Sequence, residues 1–226
     1  MNISRLKLLC LAALGLMSGC AATVSLNESE RASLKSTAAP IQTLLYTSLG
    51  SNGLMVTTPK TAMAIGGTGF LAIKNGKEWS AENGITHPMA AVRDRMVSKL
   101  KTDLGVYSFK HLADTIDANN DAPEKLKTQF GNGLMMDFTG VYQVIYYLGD
   151  MSHYHMYYNA RARLVRLDDS KVMWQGNCRL DVEDPDNRPT IDDLQANKAA
   201  RLKEWLNRGG EECSNQLASQ FFGRGT

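Results

Sequence analysis

LMMDFTGVYQVIYYL (134–148), HYHMYYNARARLVRL (153–167) and KVMWQGNCRLDVE (171–183) are three runs rich in apolar and aromatic residues that read in twos. A period of two sends alternate side chains to opposite faces, so each run reads as a strand with one buried face. Gly149-Asp150-Met151-Ser152 and Asp168-Asp169-Ser170 separate the runs. Connections this short join antiparallel neighbours, because a parallel crossover needs a dozen residues or more. The stretch from about 134 to 183 is therefore expected to be a β-meander, and it sets the fold class as α+β.

A sheet with one apolar face needs a cover. Met89, Val92, Met96, Val97, Leu100 and Leu104 make a helical stripe, entered through Thr86, His87 and Pro88 and ended by Gly105. A second stripe, Leu202, Leu206, Gly209, Cys213 and Leu217, belongs to a helix from near 191 to about 222, with a kink or split expected at Gly209-Gly210. The expected architecture is an antiparallel sheet with the meander at its centre, covered on one face by helices near 88–104 and 191–222. The remaining signals are weaker. Residues 41–46 read as a strand or short apolar helix, 54–58 as a short extended run and 106–112 as a short strand or irregular segment. Residues 122–130 read as a short amphipathic helix. Thr139-Gly140 marks a possible bulge. The 61–82 stretch, with close-set glycines, reads as a loop or a weak hairpin turning at Asn75-Gly76.

At 226 residues and 43% hydrophobic the chain suffices for one good core, placed at 37–226. Residues 1–19 read as a secretory leader. Arg5 and Lys7 precede an apolar run over 8–17 that is far shorter than the ~20 residues of a spanning helix. The formal charge is +2, and both excess charges sit in the leader. A balanced body with no basic run excludes non-specific nucleic-acid binding, which rests on phosphate neutralisation.

Met17-Ser18-Gly19-Cys20 resembles the lipobox of bacterial lipoproteins, with Met17 where that family's consensus has Leu. The resemblance implies cleavage after Gly19, acylation (diacylglyceryl and palmitate-type chains) of Cys20, and a lipidated tether over 20–36. Several acyl chains hold a protein at a membrane without any spanning helix. Ala21, in place of the Asp that retains such lipoproteins, implies the outer membrane, with the body facing the periplasm, or the cell surface if it is exported further. With Cys10 in the leader and Cys20 taken by lipid, Cys178 and Cys213 remain in an oxidising compartment. Both lie on apolar faces expected to pack together, so a structural disulfide is expected between them. There is no C-x-x-C to suggest a redox or zinc pair.

Candidate chemistry is sparse. Gly67-Thr68-Gly69-Phe70-Leu71-Ala72 fits the dinucleotide fingerprint G-x-G-x-x-A, but Asn75-Gly76 reads as a break where that motif needs a helix, so no cofactor is expected. His153 and His155 share a strand face, yet a metal site needs a third ligand and none is identifiable. Asp150, Ser152 and His153 lack the context of a hydrolase triad, and no catalytic residue is assigned. Asp181, Glu183, Asp184 and Asp186 read as a solvated acidic loop. Asn159, Arg161 and Arg163 share one strand face, which suits an anionic group or an acidic patch. Tyr142, Tyr146, Tyr147, Tyr154, Tyr157 and Tyr158 crowd the first hairpin, and an exposed subset would make a docking surface. The candidate binding residues are thus Arg161, Arg163, His153, His155 and Tyr157.

The run RLVRLDDSKVMWQG (163–176) is similar to a hairpin of the curli-secretion and penicillin-binding-protein activator lipoprotein groups, which share an α+β fold. Here the turn lacks that hairpin's Gly, and Arg166 stands where those groups have Asp. With the lipobox it implies an envelope lipoprotein and transfers no binding residue. The function expected is that of a non-catalytic accessory or assembly factor docking an envelope protein. The alternative is a periplasmic ligand-binding protein or hydrolase with a site near the meander hairpin, which would need polar groups from separate segments to converge in a concave site.

Overall fold

The computed structural model describes residues 23–63 and 68–223. In chain order the elements are α1 (Glu28–Lys35), β1 (Ile41–Thr47), β2 (Leu54–Val56), α2 (Pro59–Ala62), α3 (Thr68–Asn83), α4 (Pro88–Leu104) and β3 (Phe109–His111). They continue with β4 (Ile116–Asp117), α5 (Pro123–Phe130), β5 (Leu134–Tyr147), β6 (Asp150–Arg166), β7 (Lys171–Val182) and α6 (Ile191–Phe222). The meander is β5–β6–β7, antiparallel throughout. The whole sheet is mixed, however, in the order β3-β1-β5-β6-β7. β1 and β2 both run parallel to β5, β1 along its first half and β2 along its second. The chain returns to β5 only after α3, α4 and α5, and a crossover of that length permits the parallel arrangement.

The inner face of the meander carries Phe138, Tyr142, Tyr158, Ala162, Leu164 and Trp174, all fully buried. Met89, Val92 and Met96 of α4 and Leu202, Leu217 and Phe221 of α6 close the same core. Gly209 and Gly210 neither kink nor split α6. They let it approach the sheet, since a Cβ on Gly209 would lie 2.5 Å from the Tyr158 ring. The helical path breaks instead at residues 196–199, where Asn197, Lys198 and Ala199 adopt left-handed backbone. Gly140 likewise sits in unbroken register opposite Ala160, and the ladder shifts at Tyr146/Tyr147. A side chain on Gly140 would strike Tyr142 and Met89, so the residue marks tight packing rather than a bulge.

The second face is also partly covered. α5 lays Leu126 onto Leu44, Tyr46, Met135, Val165 and Leu167, a smaller core separate from the first. The expectation of helices on one face alone missed it because the short amphipathic pattern at 122–130 marks a helix without saying which face of the sheet it covers.

Two further expectations are corrected. The 61–82 stretch is largely helix: α3 runs straight through Asn75-Gly76. Gly76 lies against the carbonyl of Leu54, where a Cβ would collide, and the Asn75 amide donates to the Val56 carbonyl at 3.3 Å. The dipeptide therefore fits a helix crossing an edge strand. The fingerprint over 67–72 thus gains a helix, but the element before it is the helical turn α2 rather than a strand, and the strand–turn–helix context is still missing. Part of the expected tether is folded. Val24 and Gln175 exchange backbone hydrogen bonds of 3.2 and 3.0 Å, α1 carries an Asn27/Glu30 capping box, and Leu26 and Leu34 are buried in the main core. Cys20 lies outside the described residues.

Cys178 of β7 and Cys213 of α6 form a disulfide across a sequence separation of 35. The chain-entropy model assigns such a loop about 3.8 kcal/mol. Cys213→Ser is expected to lower Tm by roughly 8–15 °C, read by thermal melts of variant and parent protein.

Candidate functional site

Cross-strand register brings Asp137 opposite Arg163 on the outer face. Arg163 Nε donates to both Asp137 oxygens at 3.1 Å and Nη2 to Oδ2 at 2.7 Å. The Tyr46 hydroxyl donates to Oδ2 at 3.2 Å. Arg163 Nη2 also donates to the Asp121 carbonyl at 2.7 Å, and Arg161 Nη2 to the Asp121 carboxylate at 2.8 Å. Burial works to lower the Arg163 guanidinium, but the bonds to Asp137 outweigh it and hold its pKa above the ordinary arginine value. Arg163 is thus buried and spent on the fold. The expected anion-binding row is instead the floor of the segment around Asp121.

Farther along β6 the two imidazoles part company. His153 Nδ1 is 2.8 Å from Asp150 Oδ2, whereas His155 Nδ1 is 2.6 Å from Asp181 Oδ1. His155 is buried, stacked on Tyr147 at 4.6 Å and edge-on to Tyr157 at 4.7 Å. The Tyr147 hydroxyl donates to Glu183 Oε2 at 2.9 Å, and Arg188 lies over the Tyr147 ring at 4.3 Å. Burial and the Glu183 bond push the Tyr147 phenol up to about 12. The Ser152 backbone N–H caps Asp150 at 3.2 Å in an exposed turn. Each titratable group thus has its own partner. Among the described residues no three His, Cys, Asp or Glu side chains gather as metal ligands. Beyond this ladder the hairpin tip presents Leu148, fully exposed, and Met151, 59% exposed, with Tyr157 exposed on the outer face.

The acidic loop after β7 is an anchor and not a solvated turn. Asp184 Oδ2 accepts from Arg201 Nη2 at 3.0 Å and Trp205 Nε1 at 2.9 Å, and Oδ1 accepts from Arg208 at 3.0 Å. Arg208 also donates to the Glu183 carbonyl at 3.0 Å, and Arg201 to that of Asn187. The i, i+4, i+7 spacing of Arg201, Trp205 and Arg208 was the available sequence signal, since it sets three donors on one helix stripe. Burial raises the Asp184 carboxyl, but the three donors outweigh it and keep the pKa below the usual carboxylate value. From this anchor residues 183–190 run as a strap beside β6, with Pro189 O accepting from Tyr154 N at 2.9 Å and Thr190 bridging His153. Left-handed backbone costs an L-residue about 1–2 kcal/mol, so the turn at Asn197, Lys198 and Ala199 is held against strain. The fully buried Leu194 and Ala199 hold it.

Half-enclosed clefts of about 180 and 210 Å³ lie beside the α4 start and between α1 and the β6–β7 turn, below the ~300 Å³ usual for a ligand pocket. A more open hollow of about 610 Å³ flanks the left-handed turn.

No family model matches the chain, and no curated protein matches it. Among solved structures it is similar to lipoprotein GNA1162 from Neisseria meningitidis, at 16% identity over 76% of this chain and 99% of that one, TM-score 0.28. It is also similar to the hypothetical protein CT253 from Chlamydia trachomatis, at 8% identity over 80% and 95%, TM-score 0.37. A third is the LpoB C-terminal domain from Escherichia coli, at 11% identity over 66% and 93%, TM-score 0.21. At these TM-scores the likenesses are loose and assign no residue a role. Among the described residues, no helix is long and apolar enough to cross a membrane.

Asp137→Asn strands a buried guanidinium, which costs about 3–5 kcal/mol, so Tm is expected to fall by roughly 10–15 °C. Asp184→Asn is expected to cost about 2 kcal/mol, roughly 5 °C in a melt at pH 7. Because the folded pKa of Asp184 is depressed, its contribution is present above about pH 4 and is lost as pH falls through the folded value. Parent and Asp184→Asn melts should therefore converge in acid.

Proposed function

We propose that the protein is an outer-membrane lipoprotein, acylated on Cys20 and facing the periplasm, that acts as a non-catalytic accessory or assembly factor. It docks an envelope protein through the tip of the β5–β6 hairpin. The observation that carries this reading is the pair of large apolar side chains, Leu148 and Met151, held in water at the end of that hairpin. The tip is fastened from behind by Tyr147–Glu183, His153–Asp150 and the Arg188–Tyr147 stack. Apolar groups presented on a stiff support lose little entropy on binding, which is what an anchor residue needs.

The position of the tip supports the same reading. Val24, the bridge partner of Gln175, sits at the register of Arg163 on β6. From there to Asp150 the strand spans up to about 43 Å at ~3.3 Å per residue. Cys20 precedes Val24 by a reach of roughly 14 Å. A lipid on Cys20 thus leaves the tip well away from the attachment point. Docking is favoured over a ligand-binding protein or hydrolase because the polar groups near the hairpin pair off instead of converging.

Mass spectrometry of protein from its native host is expected to find acylated Cys20 as the amino terminus, and an unmodified Met1 would overturn the anchor. A photo-crosslinking residue at Ser152 is expected to give an adduct in intact envelopes. Combined Leu148→Asp and Met151→Asp substitution should cut its yield at least tenfold while Tm stays within about 2 °C, as for surface changes. An undiminished adduct sinks docking through the tip.

A further inference from the structure

β7 has one edge on β6 and turns the other outward. On that outer edge Val24 and Gln175 exchange backbone bonds of 3.2 and 3.0 Å in an antiparallel bridge. Antiparallel partners exchange both bonds at every second residue. The next such pair toward the amino end is therefore Ala22 with Asn177, and the one after it Cys20 with Arg179. Asn177, however, is already taken. Its N–H donates to Gln220 Oε1 at 3.1 Å, and its carbonyl accepts from Gln220 Nε2 at 2.8 Å. A side-chain amide carries a donor and an acceptor side by side, and here it fills the place of a strand residue.

This clasp is built into the fold. Gln220 belongs to the last turn of α6, where Phe221 packs on Trp174 at 4.9 Å. The Cys178–Cys213 bridge holds the same helix to β7. Gly176 makes the room, since a Cβ there would lie 2.8 Å from Gln220 Oε1 and 2.5 Å from the Trp174 ring. Exchanging Gln220 for Ala22 would conserve both bonds but order more chain, so entropy favours the clasp.

We infer that Gln220 is a stop: its amide closes the outer edge of β7 to the chain's own residues 20–23 and so sets the length left between Cys20 and the fold. Continuity with the Val24 bridge names the segment that would otherwise pair there. Pairing through Ala22 would carry Cys20 to the level of Arg179, farther along β7 toward its Val182 end. That is the direction of the hairpin tip, so the stop keeps the attachment point away from it. The stop itself rests on backbone geometry alone. Its consequence for reach rests on the lipid at Cys20 and on docking at the tip.

Residue-resolved amide hydrogen exchange on the whole mature protein tests the stop. The parent is expected to show Ala22 exchanging fast and Asn177 protected. In Gln220→Ala the Ala22 amide is expected to slow at least about tenfold while Asn177 stays protected, its bonds passing from the side chain to the new strand. Adding Ala22→Pro removes the donor, and Asn177 should then lose its protection while the β5–β6 amides keep theirs. An Ala22 amide already protected in the parent, or still fast in Gln220→Ala, would overturn the stop. A Gln220→Ala dimer in sedimentation with Ala22 still fast would give the edge to a second copy, and the tether would be overturned as its occupant.

The Ser152 crosslinker tests the reach. Its adduct should fall several-fold in Gln220→Ala and recover when Ala22→Pro is added. Equal yields in all three proteins would overturn the reach and leave the stop and tip docking standing. No adduct in any of them would defeat docking and the reach with it, while the stop is judged by exchange.

Discussion

The inner half of the molecule depends on how closely α6 can approach Tyr158. Gly209 faces that ring with no side chain of its own. Tyr158 packs in turn on Tyr142 with centroids 4.5 Å apart. One helical turn beyond Gly209 lies Cys213, which reaches Cys178 on β7. A larger residue at 209 would lift the helix, stretch the covalent link and open the cavity now filled by Leu202, Leu217 and Phe221. Close approach, aromatic packing and the disulfide are therefore one arrangement seen at three points along the same helix.

The outer half is closed by charge. Asp137 and Arg163 face each other across the β5–β6 ladder, and Asp121 ties the preceding loop over them. Burying such ions is costly, and a well-packed apolar pair often does as well energetically. What the pair adds is definition. A one-residue slip between β5 and β6 would bury an unpaired charge, so the register that sets every side chain on both faces has an electrostatic lock.

Much of this was readable from the chain. Period-two runs gave the meander at nearly the right limits, and the Pro88-to-Gly105 stripe gave α4. The apolar faces around Cys178 and Cys213 brought those residues together. What escaped depended on contacts distant in sequence. Asn75-Gly76 carries a strong local turn signal, yet the approach of Leu54 decided its use. Alternation placed Arg161 and Arg163 on the outer face but carried no information about Asp121, which covers them. The direction of β1 and β2 depends on how the intervening helices return the chain, and side-chain period does not encode that. Asp184 looked solvated because its donors lie a loop and a helix away.

The pairing of Val24 with Gln175 also has a mechanical meaning. For a chain held by its amino end, tension enters the fold at the margin of β7, where two backbone bonds and the buried Leu26 take the first load. The Gln220 amide clasps the backbone of Asn177 just beyond, and the next residue is the sulfur bridge to α6. A pull from that end is therefore handed within a few residues from bonds that can unzip to one that cannot.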